Sequence, residues 1–272
     1  MKYENLGDWC KWLEKNFSPE LMIPTLPVII RIDGNNFSKW TKGLKKPFEE
    51  PLTDLMIDVT KYLVETTNAI IGYTQSDEIT LVLYSPDREK SIYNEGKKQK
   101  ILSKLTGLVV SYFNDTRPEY LPDHNKLANF DCRIYQTPTL LDACAQLLWR
   151  ENDAIKNSIS MLAQDKYSHK SLQNLNGHQM KDRLLKDGID WNELETKFRK
   201  GTYIKRVRME IPFSAEELDK LPMKHKARQN PNLLVERNVY LSPEYPNLTD
   251  IDNKVGVIFH NEEPIIKDRI YG

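Results

Sequence analysis

The chain has 272 residues, with 39 Lys and Arg balanced by 39 Asp and Glu. This length fits one large domain or two small ones. Zero net charge excludes a protein that is basic over its whole surface, although local basic patches stay compatible with it. The longest mostly apolar stretch, 21–30, is too short for a membrane-spanning helix, which needs about 20 apolar residues. The three cysteines form no Cys-x-x-Cys pair, which argues against a disulfide framework and a zinc site, so we predict a reduced, cytoplasmic setting without membrane contact.

Strands and helices alternate over the first half of the chain. Pro24 and Pro27 precede an apolar strand that ends at Gly34, and Pro51 stands at the start of a helical pattern. The predicted elements are a strand over 28–33, a helix over 52–68, strands over 69–73 and 79–84, a helix over 90–114 and a strand over 129–135. The two middle strands have few residues between them, which favours an antiparallel hairpin. This order predicts an α+β fold with a split βαβ, ferredoxin-like antiparallel sheet.

The second half of the chain is predicted to be mainly helical. Thr137 and Pro138 resemble an N-cap and a first helical position, so we expect a helix from there to about residue 164. The later elements are expected to be helices over 178–186 and 191–199 and strands over 202–211 and 255–259. We predict three units, which are a sheet domain over 1–136, a helical second lobe with its returning strand over 137–215, and an irregular tail over 216–272.

Two acidic residues stand at positions typical of a metal site. Asp33 ends the first strand and Asp77 lies in the predicted hairpin, so both carboxylates reach one end of a split βαβ sheet. Magnesium takes few carboxylates and fills its other positions with water and substrate phosphates. The pair is therefore compatible with metal-dependent phosphoryl chemistry, but an ordinary turn and an ordinary hairpin also explain each residue alone, and the pattern by itself leaves both interpretations open. Glu78 is a weaker candidate, because a strand that has begun directs it to the face opposite Asp77.

The glycine beside Asp33 points to phosphate binding. Gly34 has no Cβ and lets the backbone approach a ligand closely. We expect its carbonyl to join the metal shell and the first amides after Asp33 to form a nest for a triphosphate. The residues of this predicted nest are Gly34, Asn35, Asn36 and Phe37. Lys46 would add a point charge on the phosphates.

Basic residues cluster in two places, and both a solvated face and a phosphate-binding surface stay open for each. The first cluster lies on the long predicted helix and contains Lys97, Lys98, Lys100 and Lys104. The second surrounds Gly201 and contains Lys197, Arg199, Lys200, Lys205, Arg206 and Arg208. Arg133 on the last strand of the predicted sheet is either a buried ion-pair partner or a phosphate contact, for which the guanidinium fork is well suited.

Six short motifs, in the same order, resemble those of the tRNA-His guanylyltransferase superfamily, the 3′–5′ RNA polymerases. They are Arg-Ile-Asp-Gly-Asn-Asn-Phe at 31–37, Lys-Pro at 46–47, Gln-Ser-Asp-Glu at 75–78, Phe-Asp-Cys-Arg at 130–133, Trp-Arg at 149–150 with Asp153 and Asn157, and Phe-Arg-Lys-Gly-Thr at 198–202. The resemblance extends over about residues 28–208.

The resemblance implies a polymerase-palm-like catalytic sheet with a helical second lobe, assembled as a homotetramer. It implies catalysis by Asp33, Asp77 and Glu78, with two Mg²⁺ ions held by Asp33, Asp77 and the Gly34 carbonyl. The nucleoside triphosphate, ATP or GTP, would be held by Arg31, Gly34, Asn35, Asn36, Phe37, Ser38, Lys46, Ser76 and Arg133. The tRNA would contact Asn157, Lys197, Arg199 and Lys200.

The implied reaction has two displacements at phosphorus. The RNA 5′-monophosphate attacks the α-phosphate of ATP and releases pyrophosphate, and the 3′-hydroxyl of an incoming nucleotide then attacks the adenylylated end and releases AMP. The chain would grow in the 3′-to-5′ direction.

The sequence also departs from the eukaryotic members of the family. Ser38 and Ile155 stand where those enzymes carry histidine, Ala154 where they carry cysteine and Asn35 where many carry arginine. These departures match the like-protein branch, which repairs truncated tRNA 5′ ends by Watson–Crick templating. The alternatives are an enzyme that adds a single G at position −1 of tRNA-His, and a tRNA-binding module without catalysis. A cyclase on the same type of sheet is disfavoured, because the hairpin lacks the Gly-Gly-Asp/Glu-Glu-Phe sequence of such enzymes.

Overall fold

A six-stranded antiparallel sheet organises the molecule. The computed structural model describes residues 21–23, 25–230 and 232–267. The strands are β1 (Val28–Gly34), β2 (Ile71–Gln75), β3 (Glu78–Leu83), β4 (Phe130–Gln136), β5 (Thr202–Pro212) and β6 (Leu234–Leu241). Their order across the sheet is β4-β1-β3-β2-β5-β6, and each pair of neighbours is antiparallel. The α+β class, the antiparallel sheet and the central hairpin of the sequence prediction are confirmed.

Helices cover both faces of this sheet. They are α1 (Phe37–Trp40), α2 (Glu50–Thr67), α3 (Lys98–Tyr120), α4 (Leu140–Lys166), α5 (His169–Leu172), α6 (Gly177–Lys186), α7 (Thr196–Lys200), α8 (Ala215–Lys220), α9 (Lys226–Gln229) and α10 (Lys254–His260). Short 3₁₀ turns lie at Tyr93–Gly96, Trp191–Glu193 and Leu248–Asp250. No helix in the described ranges combines the length and the apolar character needed to span a membrane.

Alternate residues of β1 enter two different cores. Ile30 and Ile32 pack in the core that includes α2 and α3, whereas Ile29 packs in the core that includes α4 and α10. A strand covered on both faces reads as a continuous apolar run, which explains the Val-Ile-Ile sequence before Arg31. A third cluster joins the second half of α4 to α6 through Ile159, Leu162 and Leu184.

The start of α4 differs from the prediction. Thr139, rather than Thr137, is the N-cap, and its hydroxyl accepts a hydrogen bond from the Asp142 amide at 3.1 Å. Thr137 is buried and its amide donates to the carbonyl of Pro27 at 3.1 Å, so this residue still belongs to the sheet edge. The local Thr-Pro pattern could not reveal that strand contact.

The predicted irregular tail is partly ordered. It contributes β6, which pairs with β5 along its whole length. The predicted strand over 255–259 is wrong, because these residues lie in α10. Val257 and Ile258 are fully buried in the core shared with α4, so tertiary packing overrides the β propensity of this segment.

Candidate active site

The two aspartates predicted as metal ligands come together at one end of the sheet. Asp33 lies near the end of β1, where its Cα is paired with that of Glu78 in β3. Asp77 occupies the turn that joins β2 to β3. The amide of Gly34 donates to the carbonyl oxygen of Asp77 at 3.1 Å, so the turn is bonded directly to the end of β1.

The Asp77 carboxylate lies against Gly34. A Cβ on Gly34 would come within 2.9 Å of Asp77 Oδ2 and within 2.3 Å of the Phe37 ring, so only glycine fits here without displacing its neighbours. Burial raises the pKa of Asp77, the Ser76 hydroxyl opposes this by donating to Oδ1 at 3.0 Å, and the nearby Asp33 carboxylate raises the pKa further. The two carboxylates are therefore close enough to repel each other, and a cation between them would relieve that repulsion.

The predicted phosphate nest is only partly available. The Gly34 amide is already bonded to Asp77, and the Asn35 amide donates to the carbonyl of Asn129 at 2.8 Å. The prediction is therefore wrong for these two amides. Asn36 adopts a left-handed conformation with φ 53° and leads into α1. The amides of Phe37 and Ser38 begin this helix and have no acceptor within it, so they are available as nest donors.

The Phe37 side chain is part of the core rather than a surface for a base. Its ring is 5% exposed and stacks on Trp40, with ring centroids 4.7 Å apart. It also packs against Phe113 and Phe130. These contacts anchor α1 behind the end of β1.

Glu78 points away from the turn and toward α4. Arg150 donates to it twice, from Nε at 2.5 Å and from Nη2 at 2.7 Å. Arg150 also donates to Asp153, which accepts from Asn157 at 3.3 Å. Burial raises the pKa of Glu78, and Arg150 counteracts this increase. Because the Glu78 carboxylate is engaged by Arg150, its geometry fits a positioning role better than the predicted catalytic one.

Arg31 and Arg133 lie opposite each other on β1 and β4. The Nε atom of Arg31 is buried without a hydrogen-bond partner, and its guanidinium group lies 5.7 Å from the centre of the Trp149 ring. Arg133 is exposed and lies 3.7 Å from Asp131. Like charges opposite each other in a sheet are unfavourable, so the pair is suited to an anion. Asp131, which lies beside Arg133, and Arg150, which lies 4.7 Å from the centre of the same Trp149 ring, were not predicted as site residues.

A cleft of about 730 Å³ reaches the hairpin turn at Gln75 and Ser76, the two residues before Asp77, but neither aspartate lines it. One wall is the loop before α2 and the other is the middle of α4, while the hairpin turn and α7 close its ends. Lys46, Ser76, Asn157 and Lys197 are predicted site residues that line it. The cleft therefore gathers predicted nucleotide-binding and tRNA-binding residues around one space.

The basic residues before Gly201 differ in their burial and in their contacts. Lys197 donates to Glu50 at 2.8 Å and to Asp54 at 2.9 Å. Burial alone would lower its pKa, but these hydrogen bonds dominate and raise it. Its charge is therefore compensated within the protein, at the edge of the cleft.

Lys200 is 7% exposed, and its ammonium group donates to the carbonyl of Tyr245 at 2.6 Å and lies 3.5 Å from Glu151. Burial lowers its pKa, and the Glu151 carboxylate opposes this decrease. This placement contradicts the prediction that Lys200 contacts tRNA. Arg199 is half-buried, with its guanidinium 5.7 Å from the centre of the Trp191 ring.

Comparison with known proteins gives a consistent relationship. Residues 10–138 match the family model described as Thg1, tRNAHis guanylyltransferase. A bacterial tRNA(His) guanylyltransferase (Thg1)-like protein in complex with ATP is 37% identical, with a TM-score of 0.68 over 74% of this chain and 88% of its own. A bacterial Thg1-like protein in complex with GTP is 29% identical, with a TM-score of 0.67 over 90% and 94%.

Among curated relatives, the probable tRNA(His) guanylyltransferase of Drosophila melanogaster is 27% identical over 69% of this chain and 70% of its own. The identity and coverage of the ATP-bound bacterial structure, together with the matching sheet, establish the relationship. The chain belongs to the tRNA-His guanylyltransferase family of nucleotidyltransferases.

Proposed function

We propose that this protein adds nucleotides to the 5′ end of truncated tRNA in the 3′-to-5′ direction, with the opposite strand as template. The observation that carries the proposal is the convergence of Asp33 and Asp77 beside Gly34, next to a cleft of about 730 Å³ that is lined by Gln75 and Ser76, the two residues before Asp77. The bacterial relatives with bound ATP and GTP support nucleoside triphosphates as substrates.

The donor set fits magnesium. In the described ranges no group of three or more His, Cys, Asp or Glu residues gathers as a metal site. Mg²⁺ needs no such group, because it binds through one or two carboxylates together with water and substrate phosphates. Asp33, Asp77 and the Gly34 carbonyl would hold two Mg²⁺ ions. When bound, they would neutralise charge on the attacking and leaving oxygens of an in-line displacement.

The residues around this centre bind and orient the substrates. The amides of Phe37 and Ser38 and the exposed Ser76 and Lys46 face the triphosphate, and Lys46 also approaches the RNA 5′-phosphate. In the first step a 5′-phosphate oxygen of the RNA attacks the α-phosphorus of ATP, and the bond to pyrophosphate breaks. In the second step the 3′-hydroxyl of the incoming nucleotide attacks the phosphorus of the RNA 5′-phosphate, its proton passes to solvent water, and the phosphoanhydride bond breaks so that AMP leaves.

Arg31 and Arg133 are assigned to the phosphates of the incoming nucleotide. Their opposed positions on β1 and β4 and the unpartnered Nε of Arg31 support this assignment. A guanidinium group can contact two phosphate oxygens at once, which orients the nucleotide as well as attracting it. Asn157 and Arg199, on α4 and α7, remain candidates for contact with tRNA.

Addition of a single G at position −1 of tRNA-His is the second candidate. The name of the Drosophila relative favours it, whereas Ser38 and Ile155, in place of histidines, favour templated repair. Both reactions use the same phosphoryl centre, so only the preferred RNA separates them. The homotetramer implied by the sequence resemblance stays a prediction.

The test is a 5′-extension assay with ATP, GTP, Mg²⁺ and a tRNA that lacks its first nucleotide, compared with full-length tRNA-His. Extension is expected for the truncated tRNA and should be lost in Asp33→Asn and Asp77→Asn. Asp182→Asn, which changes an exposed acid on α6, is the matched control and should stay active. An inactive wild-type protein, or an active Asp77→Asn variant, would contradict the proposal. A preference for tRNA-His would support the second candidate.

A further inference from the structure

Lys126 braces the turn that follows Asp33. Its ammonium group donates to three carbonyl groups at and just after the end of α1, those of Lys39 at 3.1 Å, Trp40 at 3.0 Å and Lys42 at 3.2 Å. The last carbonyls of a helix have no partner within it and carry partial negative charge. A lysine that satisfies them from another segment ties that segment to the end of the helix.

The backbone of Lys126 is itself fixed. Its carbonyl accepts hydrogen bonds from the Trp40 indole at 3.0 Å and from Arg117 Nη1 at 2.7 Å. Two residues further on, the Asn114 side chain both donates to and accepts from the backbone of Ala128, at 2.9 Å in each case. The loop before β4 is thus held on α3, and Lys126 reaches from this fixed loop to α1.

The same loop holds the other end of the turn. The amide of Asn35 donates to the carbonyl of Asn129 at 2.8 Å. The segment between Gly34 and Lys42 is therefore tied at both ends to residues 126–129. This segment carries the amides of Phe37 and Ser38, the nest donors of the proposed triphosphate site.

We propose that Lys126 is a positioning residue for nucleotide binding. It acts through the carbonyl groups at the end of α1 and keeps the amides of Phe37 and Ser38 in place beside Asp33. The inference rests on the proposed function for its substrate, since the brace positions the triphosphate site, but the brace itself is independent of any reaction.

The test compares Lys126→Met, Lys126→Arg and Lys42→Met. Methionine keeps most of the length of the side chain and removes all three hydrogen bonds, whereas arginine keeps donors. Lys42→Met removes a charge from the same turn without touching the brace, because the contact at this residue is its carbonyl group. For each protein we would measure the KM for ATP, the KM for tRNA, kcat and the hydrogen exchange of amides 35–42.

Lys126→Met should raise the KM for ATP about tenfold, the effect of losing one or two net charge-assisted hydrogen bonds, with a smaller change in kcat. Within the segment 35–42, the hydrogen-bonded amides 35 and 39–42 should exchange faster, while those of β1 and β3 keep their protection. Lys126→Arg should restore most of the affinity for ATP, and Lys42→Met should leave it unchanged.

An unchanged exchange rate of amides 35–42 in Lys126→Met would overturn the inference. A rise in the KM for tRNA alone would also overturn it, because it would make Lys126 a direct contact to RNA. The exchange measurement needs no turnover, so it stays informative even if the wild-type protein fails the 5′-extension assay and the proposed function is refuted.

Discussion

Arg150 and Glu78 form a two-point ion pair, with nitrogen–oxygen distances of 2.5 and 2.7 Å. Each side chain is only 10% exposed. The pair joins the middle of α4 to the first residue of β3, directly after the turn that presents Asp77. It therefore sets the position of the helical lobe relative to the proposed metal site.

Breaking this pair on one side should destabilise the protein strongly. Arg150→Met leaves the Glu78 carboxylate buried without its partner, and we expect a loss of about 3 kcal/mol in the free energy of unfolding, measured by urea denaturation. The double variant Glu78→Gln, Arg150→Met should lose less than the single variant. Arg208→Met is the control, because its ion pair with Glu236 is exposed and should contribute less than about 1 kcal/mol. If Arg150→Met and Arg208→Met lose equal amounts of unfolding free energy, burial does not make the Arg150–Glu78 pair more important than an exposed pair.

Gly34→Ala should damage the site more than the fold. The new methyl group would overlap with the Phe37 ring and with Asp77 Oδ2, so the Asp77 carboxylate cannot keep its present position unless the backbone of residue 34 shifts. A displacement of this kind is expected to lower the rate of 5′ extension roughly tenfold to a hundredfold. Titration with Mg²⁺ should also show a higher half-saturating concentration.

Gly107→Ala is the matched control for that variant, because it lies in α3 and its added methyl group meets nothing within 4 Å. It should leave the rate unchanged and increase stability by about 0.5–1 kcal/mol. A Gly34→Ala variant with wild-type rate and magnesium response would show that the carboxylate does not depend on this close approach.

Substitution of Gly201 should destabilise the protein in two ways, through backbone strain and through steric overlap, and comparison with Gly188 separates them. Its φ is +78°, and a Cβ would lie 2.5 Å from the backbone oxygen of Thr74. Gly188 has the same φ but open space around it. Thermal and urea unfolding should show a loss of about 1 kcal/mol for Gly188→Ala, from backbone strain alone. Gly201→Ala should lose roughly 2–4 kcal/mol, since strain and overlap add. Similar losses for the two variants would mean that β2 moves freely away from residue 201.

Lys205 should make stability depend on pH in the alkaline range. The side chain is 4% exposed and donates to the carbonyl of Val257. Burial lowers its pKa from 10.5 to about 8. Below pH 8 both the folded and the unfolded chain carry the proton, so no pH dependence arises there. Between about pH 8 and pH 10.5 the unfolded chain binds more protons than the folded chain, and the free energy of unfolding therefore rises with pH.

The comparison with Lys205→Met measures this effect. The stability of the wild-type protein relative to the variant should increase by up to about 1.4 kcal/mol per pH unit above pH 8, in urea unfolding at pH 7 to 10. A flat difference over this range would show that Lys205 keeps an ordinary pKa.

The sequence was informative where function and local pattern coincide. The apolar run of β1, the hairpin and the positions of Asp33 and Asp77 follow from strand periodicity and from turns. Burial was harder to foresee. Lys200 looks like part of a surface cluster, yet it is enclosed by Glu151 and the carbonyl of Tyr245, which are remote in the sequence.

Contacts between distant segments also explain why the predicted strand over 255–259 is a helix and why the contacts of Lys126 were not predicted. Residues 255–259 have strand-like composition but lie in α10 because Val257 and Ile258 fill the core shared with α4. Lys126 belongs to a polar loop without any motif, and its role depends on carbonyl groups more than 80 residues away in the chain. Contacts between segments so far apart cannot be predicted from local sequence patterns.

The hydrogen bond from the Gly34 amide to the Asp77 carbonyl has a consequence for folding. Neither β1 nor the hairpin alone contains both carboxylates. Asp33 and Asp77 therefore come together only after β1 has paired with β3. A partly folded chain in which β3 has separated from β1 would lose the site completely, because its two carboxylates would no longer be neighbours. Catalytic competence should therefore appear together with protection of the central strands, as a single cooperative event.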